Sequence, residues 1–577
     1  MKLFRVILGA APLWAPGLGL AQAVSPPPVL NPVERLAPRP PVRLAPNLEG
    51  PPLREQTGPG ASAEVRLEGV TVQGNEAVPD DRLAPVLAGL AGTQVPLARI
   101  EEARLGILRA YRDSGYPFAS VNAGLTPRAG GGADLVFHVT EGFVAEVRLE
   151  GDIGPAGTQV LRFLNRVVGQ RPISTAAIER ALLLASDVPG VTVRGTLRPL
   201  QSEPGALQLV AQVERRWYSG YFNLDNRGSR FVGPWQGLLV AGINSVTEYG
   251  ERTEFSLFGA QNSTQWFGQG SVEAFIGGSG LRLKVYGGTG VTRPSGSLRQ
   301  LNYTGESQVG GALLTYPVIR SRPINLYLTG GLDLFDSTIF TGDGAARARA
   351  SRDQVRTLRF GTEGQVLEST IPFLPAATTI GNFRLHHGIG LFGGTRSGSP
   401  ETGRRGSENF GFTKLTGELQ RTQPLFSPFE GAMFNIQATV AGQWTNDVLP
   451  QSEKFYLGGA RLGRGFYAGQ VTGDSAWAAS FELQFDTTFE VPTEPMLGNN
   501  RHSAQFYFFR DIGRAFENLR TDPDRRLSSW GGGVRYVVSD AVQFDLEGVH
   551  RVTRQPDGVG TDRLRDTQVI FRTLVRF

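Results

Sequence analysis

The 577-residue chain contains no cysteine and only five histidines. The absence of cysteine excludes disulfide scaffolds, thiolate metal sites and cysteine nucleophiles. Beyond the N-terminus, no apolar run approaches the ~18 residues that a membrane-spanning helix requires. The formal net charge is only +5, and without a basic cluster it gives no indication of nucleic-acid binding. We therefore expect neither a metal site nor a nucleic-acid partner.

The N-terminus contains a predicted targeting segment followed by a linker. Two basic residues precede an apolar stretch that ends at the small-x-small sequence Ala21-Gln22-Ala23. This layout is typical of a secretory signal peptide, so residues 1–23 are predicted to be removed on export. Residues 24–62 hold 11 of the 37 prolines, which prevents a long helix and predicts an extended Pro-rich linker.

Two short modules of mixed secondary structure follow the linker. Within residues 63–143, the alternation of apolar and polar side chains over 65–72 predicts a β-strand, and apolar residues at helical spacing over 100–111 predict a helix. Residues 144–215 repeat this order, with a helix predicted after Ser174, a suitable N-cap residue. Both modules are therefore predicted to have the element order β-α-α-β-β.

From residue 216 to residue 577 the hydrophobic period changes to two. Leu281, Leu283 and Val285 are separated by Arg282 and Lys284, and similar alternation recurs in sixteen stretches of this segment. One face of each stretch is apolar and the other is charged, which is the pattern of a transmembrane barrel with a lipid-facing exterior. We therefore predict a mainly β protein in which residues 216–577 form a sixteen-stranded antiparallel transmembrane β-barrel surrounded by outer-membrane lipid.

The two modules also carry short motifs in a characteristic order. These are Gly74, Asn75, Tyr111, Gly115 and Tyr116 in the first module, and Pro189 and Gly190 in the second. In this order they resemble the motifs of POTRA domains, the periplasmic modules of the outer-membrane assembly and secretion superfamily, with POTRA 1 over 63–143 and POTRA 2 over 144–215. The resemblance implies that an extended client chain adds as a strand to an exposed sheet edge.

Two motifs lie at the ends of the barrel segment. Leu224-Asp225-Asn226-Arg227-Gly228-Ser229 follows the first predicted strand, and Phe577 ends the last one. The first motif resembles the Asp-Asn-x-Gly-Ser segment of the transporters of two-partner secretion (TpsB), and Asp225, Asn226 and Gly228 are the matching residues. The terminal aromatic resembles the signature of outer-membrane barrels, so we expect the barrel-assembly machinery to insert the chain.

A sharper motif, Arg464-Gly465-Phe466, lies in the long segment at about 444–475, between predicted strands 11 and 12. It resembles the Arg-Gly-aromatic tip of the superfamily's conserved loop, which folds back into the barrel lumen. The charge of Arg464 then requires a partner. The resemblance suggests Asp511, whose parity in its strand allows it to face inward, and Glu482 on strand 12 is a second candidate. We predict that an Arg–carboxylate pair fixes the loop inside the pore.

Together these resemblances imply an outer-membrane transporter of two-partner secretion with its POTRA domains in the periplasm. It would recognise an unfolded, secreted TpsA-like protein of the haemolysin or adhesin type and pass it through the barrel. The alternative is an assembly or insertion factor for other barrels, and a passive diffusion porin would leave the POTRA modules without a role. We expect neither an enzyme nor a cofactor, because no catalytic constellation and no nucleotide-binding G-x-x-x-x-G-K-[ST] motif stands out.

Overall fold

The computed structural model describes residues 63–129, 131–229, 231–398, 407–491, 501–538, 541–558 and 563–577. The predicted signal peptide and Pro-rich linker lie outside the described residues. Within the described ranges, no helix is both long and apolar enough to cross a membrane. Two small α/β modules precede a closed sixteen-stranded barrel, which confirms the predicted fold class.

The first module is a four-stranded sheet packed against two helices. Its elements are β1 (Glu64–Gln73), α1 (Asp80–Leu87), β2 (Thr93–Pro96), α2 (Leu97–Asp113), β3 (Ser120–Pro127) and β4 (Ala133–Thr140). The sheet order is β2-β1-β4-β3, with β1 and β4 parallel. The sequence does not predict β2, because its four residues are too few for an alternation to be recognised.

The second module is a three-stranded sheet covered by two helices. Its elements are β5 (Phe143–Gly151), α3 (Gly157–Leu164), α4 (Thr175–Ser186), β6 (Val191–Pro199) and β7 (Ala206–Arg215), with a 3-10 turn over Asn165–Val167. The sheet order is β5-β7-β6, so β5 and β6 are its edges. Ser174 caps α4, because its Oγ accepts a hydrogen bond from the backbone N of Ala177 at 3.2 Å.

The barrel closes by antiparallel pairing of its last strand with its first. The strands β19 (Phe455–Leu457) and β20 (Val471–Gly473) form a separate hairpin that is not part of the barrel wall. The sixteen strands of the wall are β8 (Tyr218–Asp225), β9 (Gln236–Asn244), β10 (Arg252–Ala260), β11 (Gln265–Phe275), β12 (Arg282–Thr292), β13 (Thr304–Arg320), β14 (Ile324–Thr341), β15 (Ala348–Glu368), β16 (Ala377–Gly388), β17 (Thr413–Phe426), β18 (Ala432–Trp444), β21 (Ser475–Glu490), β22 (Arg501–Phe516), β23 (Arg525–Val538), β24 (Val542–Arg551) and β25 (Thr567–Arg576). Each of the sixteen predicted stretches corresponds to one barrel strand.

The barrel wall has the two faces that a period of two predicts. Phe481, Leu483 and Phe508 are about half exposed on the outer surface, as a lipid-facing wall requires. Glu482 and Asp511 have the opposite parity in β21 and β22, so they lie on the inner face, and both are buried. A buried carboxylate without partners is costly, so these inward acids require partners inside the lumen.

The second module packs directly on one end of the barrel, which we call the module end. Gln159 donates from Nε2 to the carbonyl oxygen of Gly277 at 2.8 Å. Phe163 packs edge-on against Phe275 of β11, with ring centroids 5.2 Å apart. Phe275 is buried within the core of the second module, so the module and the barrel share one continuous core at this contact.

Loop 6, residues 445–474, joins β18 to β21 at the opposite end of the barrel, which we call the distal end. The loop folds back into the barrel and contains the β19–β20 hairpin. Its residues Leu457, Phe466 and Val471 are buried in one cluster with Ala515 of β22 and Leu527 of β23. Apolar burial therefore holds the loop against the inner wall.

Candidate functional site in the barrel lumen

The tip of loop 6 lies against the inner wall with almost no free space. Gly463 and Gly465 flank Arg464 and have φ angles of +94° and +91°, a region that residues with a Cβ rarely adopt. A Cβ at Gly463 would lie 2.7 Å from Leu527 Cδ1, and one at Gly465 would lie 2.6 Å from Val549 Cγ1. The two glycines therefore allow the chain to reverse while Arg464 contacts the wall.

Arg464 binds both carboxylates that the sequence suggested. Its Nη2 donates to Asp511 Oδ1 at 2.9 Å and its Nε donates to Asp511 Oδ2 at 3.1 Å, which makes a bidentate fork. Its backbone N also donates to Asp511 Oδ2 at 2.8 Å, and its Nη1 binds Glu482. The exposed fraction is 4% for Arg464, 0% for Asp511 and 6% for Glu482, so these three side chains, which we call the latch, are buried together.

Further contacts of the tip come from residues that the sequence analysis did not single out. The guanidinium of Arg464 lies 3.6 Å from the centroid of the Phe509 ring, and its Nη2 donates to Ser480 Oγ at 2.8 Å. Ser529 donates to the carbonyl oxygen of Arg464, and Arg551 donates to that of Gly465. The sequence could have indicated Phe509, because it lies two residues before Asp511 in β22 and so faces the lumen as Asp511 does.

The latch is an electrostatic arrangement that tolerates little change. Removing charges from water costs several kcal/mol per ion, and only close partners and hydrogen bonds offset that cost. Here every donor group of the Arg464 guanidinium has an acceptor among Asp511, Glu482 and Ser480. Deleting one partner would therefore leave a buried charge without compensation, which is more destabilising than losing an exposed pair.

The motif after β8 lies at the seam between the first and last strands. Asp225 is buried, and its Oδ1 accepts from the backbone N of Arg227 at 2.9 Å and from Gln236 Nε2 at 2.8 Å. The β25–β8 ladder ends at the Arg572–Asp225 pair. Asn226 extends it, because its Oδ1 accepts from the Phe571 backbone N at 2.9 Å and its Nδ2 donates to the Val569 carbonyl oxygen at 3.2 Å.

Gly228, in the same motif, lies where the chain after β8 approaches the segment that leads into β9. Its backbone N donates to the carbonyl oxygen of Pro234 at 2.8 Å. A Cβ at Gly228 would lie 2.0 Å from the carbonyl oxygen of Gly233, so the close approach of the two chain segments requires glycine. Asp225, Asn226 and Gly228 thus shape the seam and the first distal loop.

The motif residues of the first module stabilise its own fold and its contact with the second module. Tyr111 is buried and its Oη donates to Glu141 Oε1 at 2.7 Å; burial and this hydrogen bond raise the pKa of Tyr111. Asn75 donates from Nδ2 to Asp80 Oδ1 at 2.7 Å at the start of α1. Gly115 accepts a hydrogen bond from the backbone N of Thr175 at 3.0 Å, across the module boundary.

The remaining motif residues of the first module flank these contacts. Gly74 has φ +84°, and a Cβ there would lie 2.4 Å from the Val139 carbonyl oxygen, so this turn requires glycine. The backbone N of Tyr116 donates to the Tyr111 carbonyl oxygen at 2.9 Å just after α2 ends.

The Pro189-Gly190 motif of the second module faces the barrel. The carbonyl oxygen of Pro189 accepts from Ser245 Oγ at 2.6 Å, and that of Gly190 accepts from the backbone N of Arg216 at 2.7 Å. A Cβ at Gly190 would lie 2.2 Å from the Arg216 carbonyl oxygen. The motif is therefore a joint between the module and the barrel.

The lumen beneath loop 6 is a cavity of about 1760 Å³. It is lined by Asp187 and Gly190 of the second module, by Gly458 and Leu462 of loop 6, and by the C-terminal Phe577. The Phe577 backbone N donates to the Gly220 carbonyl oxygen at 3.0 Å, which anchors the end of the chain on β8. The cavity therefore connects the module end of the barrel with the underside of loop 6.

Two tandem POTRA-type modules joined to a sixteen-stranded barrel, with a loop held inside its lumen, define an outer-membrane transporter of the POTRA-plus-barrel class. The family model described as haemolysin secretion/activation protein ShlB/FhaC/HecB matches residues 205–536, and the model of the ShlB-type POTRA domain matches residues 65–142. The chain belongs to the ShlB/FhaC/HecB family. Members of this family are the outer-membrane transporters of two-partner secretion, which work with TpsA-type exported proteins.

Similar proteins cover most of the chain. A curated relative, the heme/hemopexin transporter protein HuxB of Haemophilus influenzae (strain 86-028NP), is 24% identical over 484 residues, which span 82% of this chain and 80% of HuxB. CdiB from Escherichia coli has a similar structure, with a TM-score of 0.70 at 16% identity over 93% of this chain and 94% of that one. For CdiB from Acinetobacter baumannii the TM-score is 0.63 at 16% identity, with coverage of 93% and 95%.

Proposed function

We propose that this chain binds an unfolded exported protein at its POTRA modules, in the periplasm, and passes it through the barrel lumen to the cell exterior. The observation that carries this proposal is the cavity of about 1760 Å³ that joins the second module to the underside of loop 6. A client that enters at the module end meets this cavity before it meets the latch. The step is transport without a chemical reaction.

The modules offer strand edges to such a client. The edge strands β3 in the first module and β5 and β6 in the second present backbone N–H and C=O groups on one side. An extended chain binds such an edge through main-chain hydrogen bonds, which do not depend on its sequence. This mode suits a client that must stay unfolded until it has crossed the barrel.

The latch then controls the path through the barrel. With Arg464 bound to Asp511 and Glu482, loop 6 occupies the distal part of the lumen. Translocation requires the loop tip to move from a defined position, and the latch fixes that position, so a loop released from the latch is expected to obstruct the client's path and reduce export. Folding of the client outside removes unfolded chain from the equilibrium and draws the transfer forward.

Insertion of the barrel itself is proposed to depend on the barrel-assembly machinery. Phe577 pairs with Gly220 through two backbone hydrogen bonds of 2.9 and 3.0 Å and is 43% exposed. An exposed aromatic at the end of the last strand is available for recognition before the barrel closes.

The test combines gene context with an export assay. A very large exported protein with β-helical repeats, encoded beside this chain, is the expected client. Its appearance in the culture medium should depend on this chain. Arg464→Ala should reduce that export strongly, whereas Arg461→Ala, at a half-exposed position of the same loop, should leave it close to normal. If loss of the chain instead depletes other outer-membrane barrels and spares export, the assembly function is correct.

A further inference from the structure

The polar contacts of the latch continue along the inner wall beyond Glu482. Arg535 of β23 binds Glu482, with Nη1 2.6 Å from Oε1, and its guanidinium lies 3.8 Å from the centroid of the Tyr507 ring. Tyr507 donates from Oη to Glu547 Oε2 at 2.8 Å. Arg227, in the motif after β8, donates from Nη2 to Glu547 Oε1 at 3.0 Å. We call Glu482, Arg535, Tyr507, Glu547 and Arg227 the relay.

The reach of Tyr507 across β23 depends on a missing side chain. Tyr507 of β22 and Glu547 of β24 are both register partners of Gly533, which lies between them. A Cβ at Gly533 would lie 2.7 Å from the Tyr507 Oη. Because Gly533 has no side chain, the Tyr507 hydroxyl can lie over β23 and bind Glu547 on the next strand.

The acidic residues and the tyrosine of the relay are buried, its two arginines are partly exposed, and its charges alternate in sign. Tyr507 and Glu547 are 7% and 2% exposed, and the order from the latch is Arg464, Glu482, Arg535, Tyr507, Glu547 and Arg227. Each buried charge is balanced by its neighbours, so a change at one member alters the balance at the next. Among the described residues, Nε and Nη1 of Arg227 have no hydrogen-bond partner, which makes Glu547 the main fixed point for this side chain.

We propose that Arg535, Tyr507 and Glu547 are positioning residues that couple the tip of loop 6 to the strand seam, because they link Arg464 to Arg227, the residue directly after Asp225-Asn226. Release of Arg464 leaves Arg535 as the charged partner of Glu482, beside the hydrogen bond from Gln484, and loosens the Tyr507–Glu547–Arg227 contacts. The segment that follows β8 then loses its tie to β24. The coupling is measurable without a client, whereas its use during export rests on the proposed function.

The experiment is hydrogen–deuterium exchange of the full chain in lipid nanodiscs. Peptides over 221–229 report the seam, and peptides over 462–467 report the loop tip. Arg464→Ala should speed exchange at the seam by on the order of 5-fold or more, a typical coupling between two sites. In the Tyr507→Phe background, which keeps the ring on Arg535 but removes the bond to Glu547, the same change should no longer affect the seam.

Coupling is reciprocal, which gives a second measurement. Arg227→Ala should speed exchange at the loop tip, and Arg227→Lys, which keeps the charge, should restore slow exchange. Arg359→Ala breaks the Arg359–Asp333 pair between β14 and β15 and serves as the control that leaves both reporters unchanged. Acceleration confined to the tip, acceleration of β14–β15 peptides together with the seam, or a seam response that persists in Tyr507→Phe would each overturn the relay.

Discussion

Asp187 of the second module and Arg320 of the barrel wall form a bidentate ion pair. Arg320 Nη2 lies 2.7 Å from Asp187 Oδ1, and its Nε lies 2.8 Å from Oδ2. The third donor group of Arg320 binds Asn325 Oδ1 at 2.7 Å. Because the pair joins the end of α4 to the last residue of β13, it fixes the module against the barrel opening.

Asp187→Ala is expected to loosen the second module from the barrel. Arg320 would stay buried with only Asn325 as a neutral partner, and removing one member of a buried pair costs roughly 3 kcal/mol or more. Limited trypsin digestion near Arg215 and Arg216 measures the population of the open form, and its rate should rise by on the order of 100-fold.

The matched control for this prediction is Arg171→Ala. Arg171 pairs with Glu203 on the surface of the same module, and exposed pairs contribute little to stability. Its digestion rate should stay near that of the unchanged protein. Equal rates for Asp187→Ala and Arg171→Ala would show that the ion pair does not hold the module.

Arg464→Ala and Asp511→Ala should each reduce export strongly while the barrel still inserts. The double variant should be little worse than either single one, because both residues serve one contact and their effects do not add. Loss of the latch removes about 3 kcal/mol or more of stabilisation from the bound loop. The ratio of released to bound loop then rises by about 100-fold. Secreted client, normalised to outer-membrane transporter, is the measurement.

Arg461→Ala provides the control within the same loop. This side chain is half exposed and binds Glu418, so its removal should leave export close to normal. Independent, multiplicative losses in the Arg464 and Asp511 variants would contradict the pairing. Full export by Arg464→Ala would remove loop 6 from the mechanism.

The sequence alone predicts the barrel well, because a wall with lipid on one side and polar groups on the other imposes a strict period of two. That same period places Asp511 on the inward face, where the structure shows it against Arg464. The strand β2 escapes prediction because its pairing with β1 is decided by the tertiary fold. Local pattern is therefore sufficient for the wall and insufficient for what packs against it.

Contacts between the second module and the barrel are the part that no sequence pattern supplies. Asp187 and Arg320 are separated by 133 positions. No motif around either residue indicates that the two side chains form a pair. Pro189 and Gly190 belong to a motif of the second module, yet their carbonyl oxygens bind barrel residues. Their position becomes clear only once α4 and the first barrel strands are in place.

The base of loop 6 contains one ammonium group between two carboxylates. Lys454 binds Glu517, and its Nζ lies 3.4 Å from Oδ1 of the fully buried Asp474. Burial, with further contributions from Asp474 and Asp522, raises the pKa of Glu517 from 4.5 to about 7 despite the attraction of Lys454. Below about pH 7 the neutral form of Glu517 therefore predominates in the folded protein.

The raised pKa predicts a stability that falls as pH increases. Below about 4.5 Glu517 is protonated in both folded and unfolded states, and between about 4.5 and about 7 only the folded state retains the proton. The heat-induced unfolding temperature should therefore fall, relative to Glu517→Gln, as pH rises from about 5 to about 8. Glu306→Gln, at an exposed pair with Arg347, should follow the unchanged protein, and parallel curves for Glu517→Gln would refute the assignment.

The seam depends on the amide of Asn226, which supplies two hydrogen bonds beyond the end of the β25–β8 ladder. Asn226→Ala removes both, and Asn226→Asp keeps the acceptor for Phe571 but places a charged oxygen against the Val569 carbonyl oxygen. At roughly 1 kcal/mol for each bond, both variants should lower the temperature at which the folded band is lost on unboiled gels, and Asp should lower it at least as much as Ala. Asn435→Ala, which removes a single lumenal bond to Asp486 away from the seam, should have a smaller effect. A larger effect at Asn435, or an Asp variant as stable as the unchanged protein, would mean that the seam is held by its backbone ladder alone.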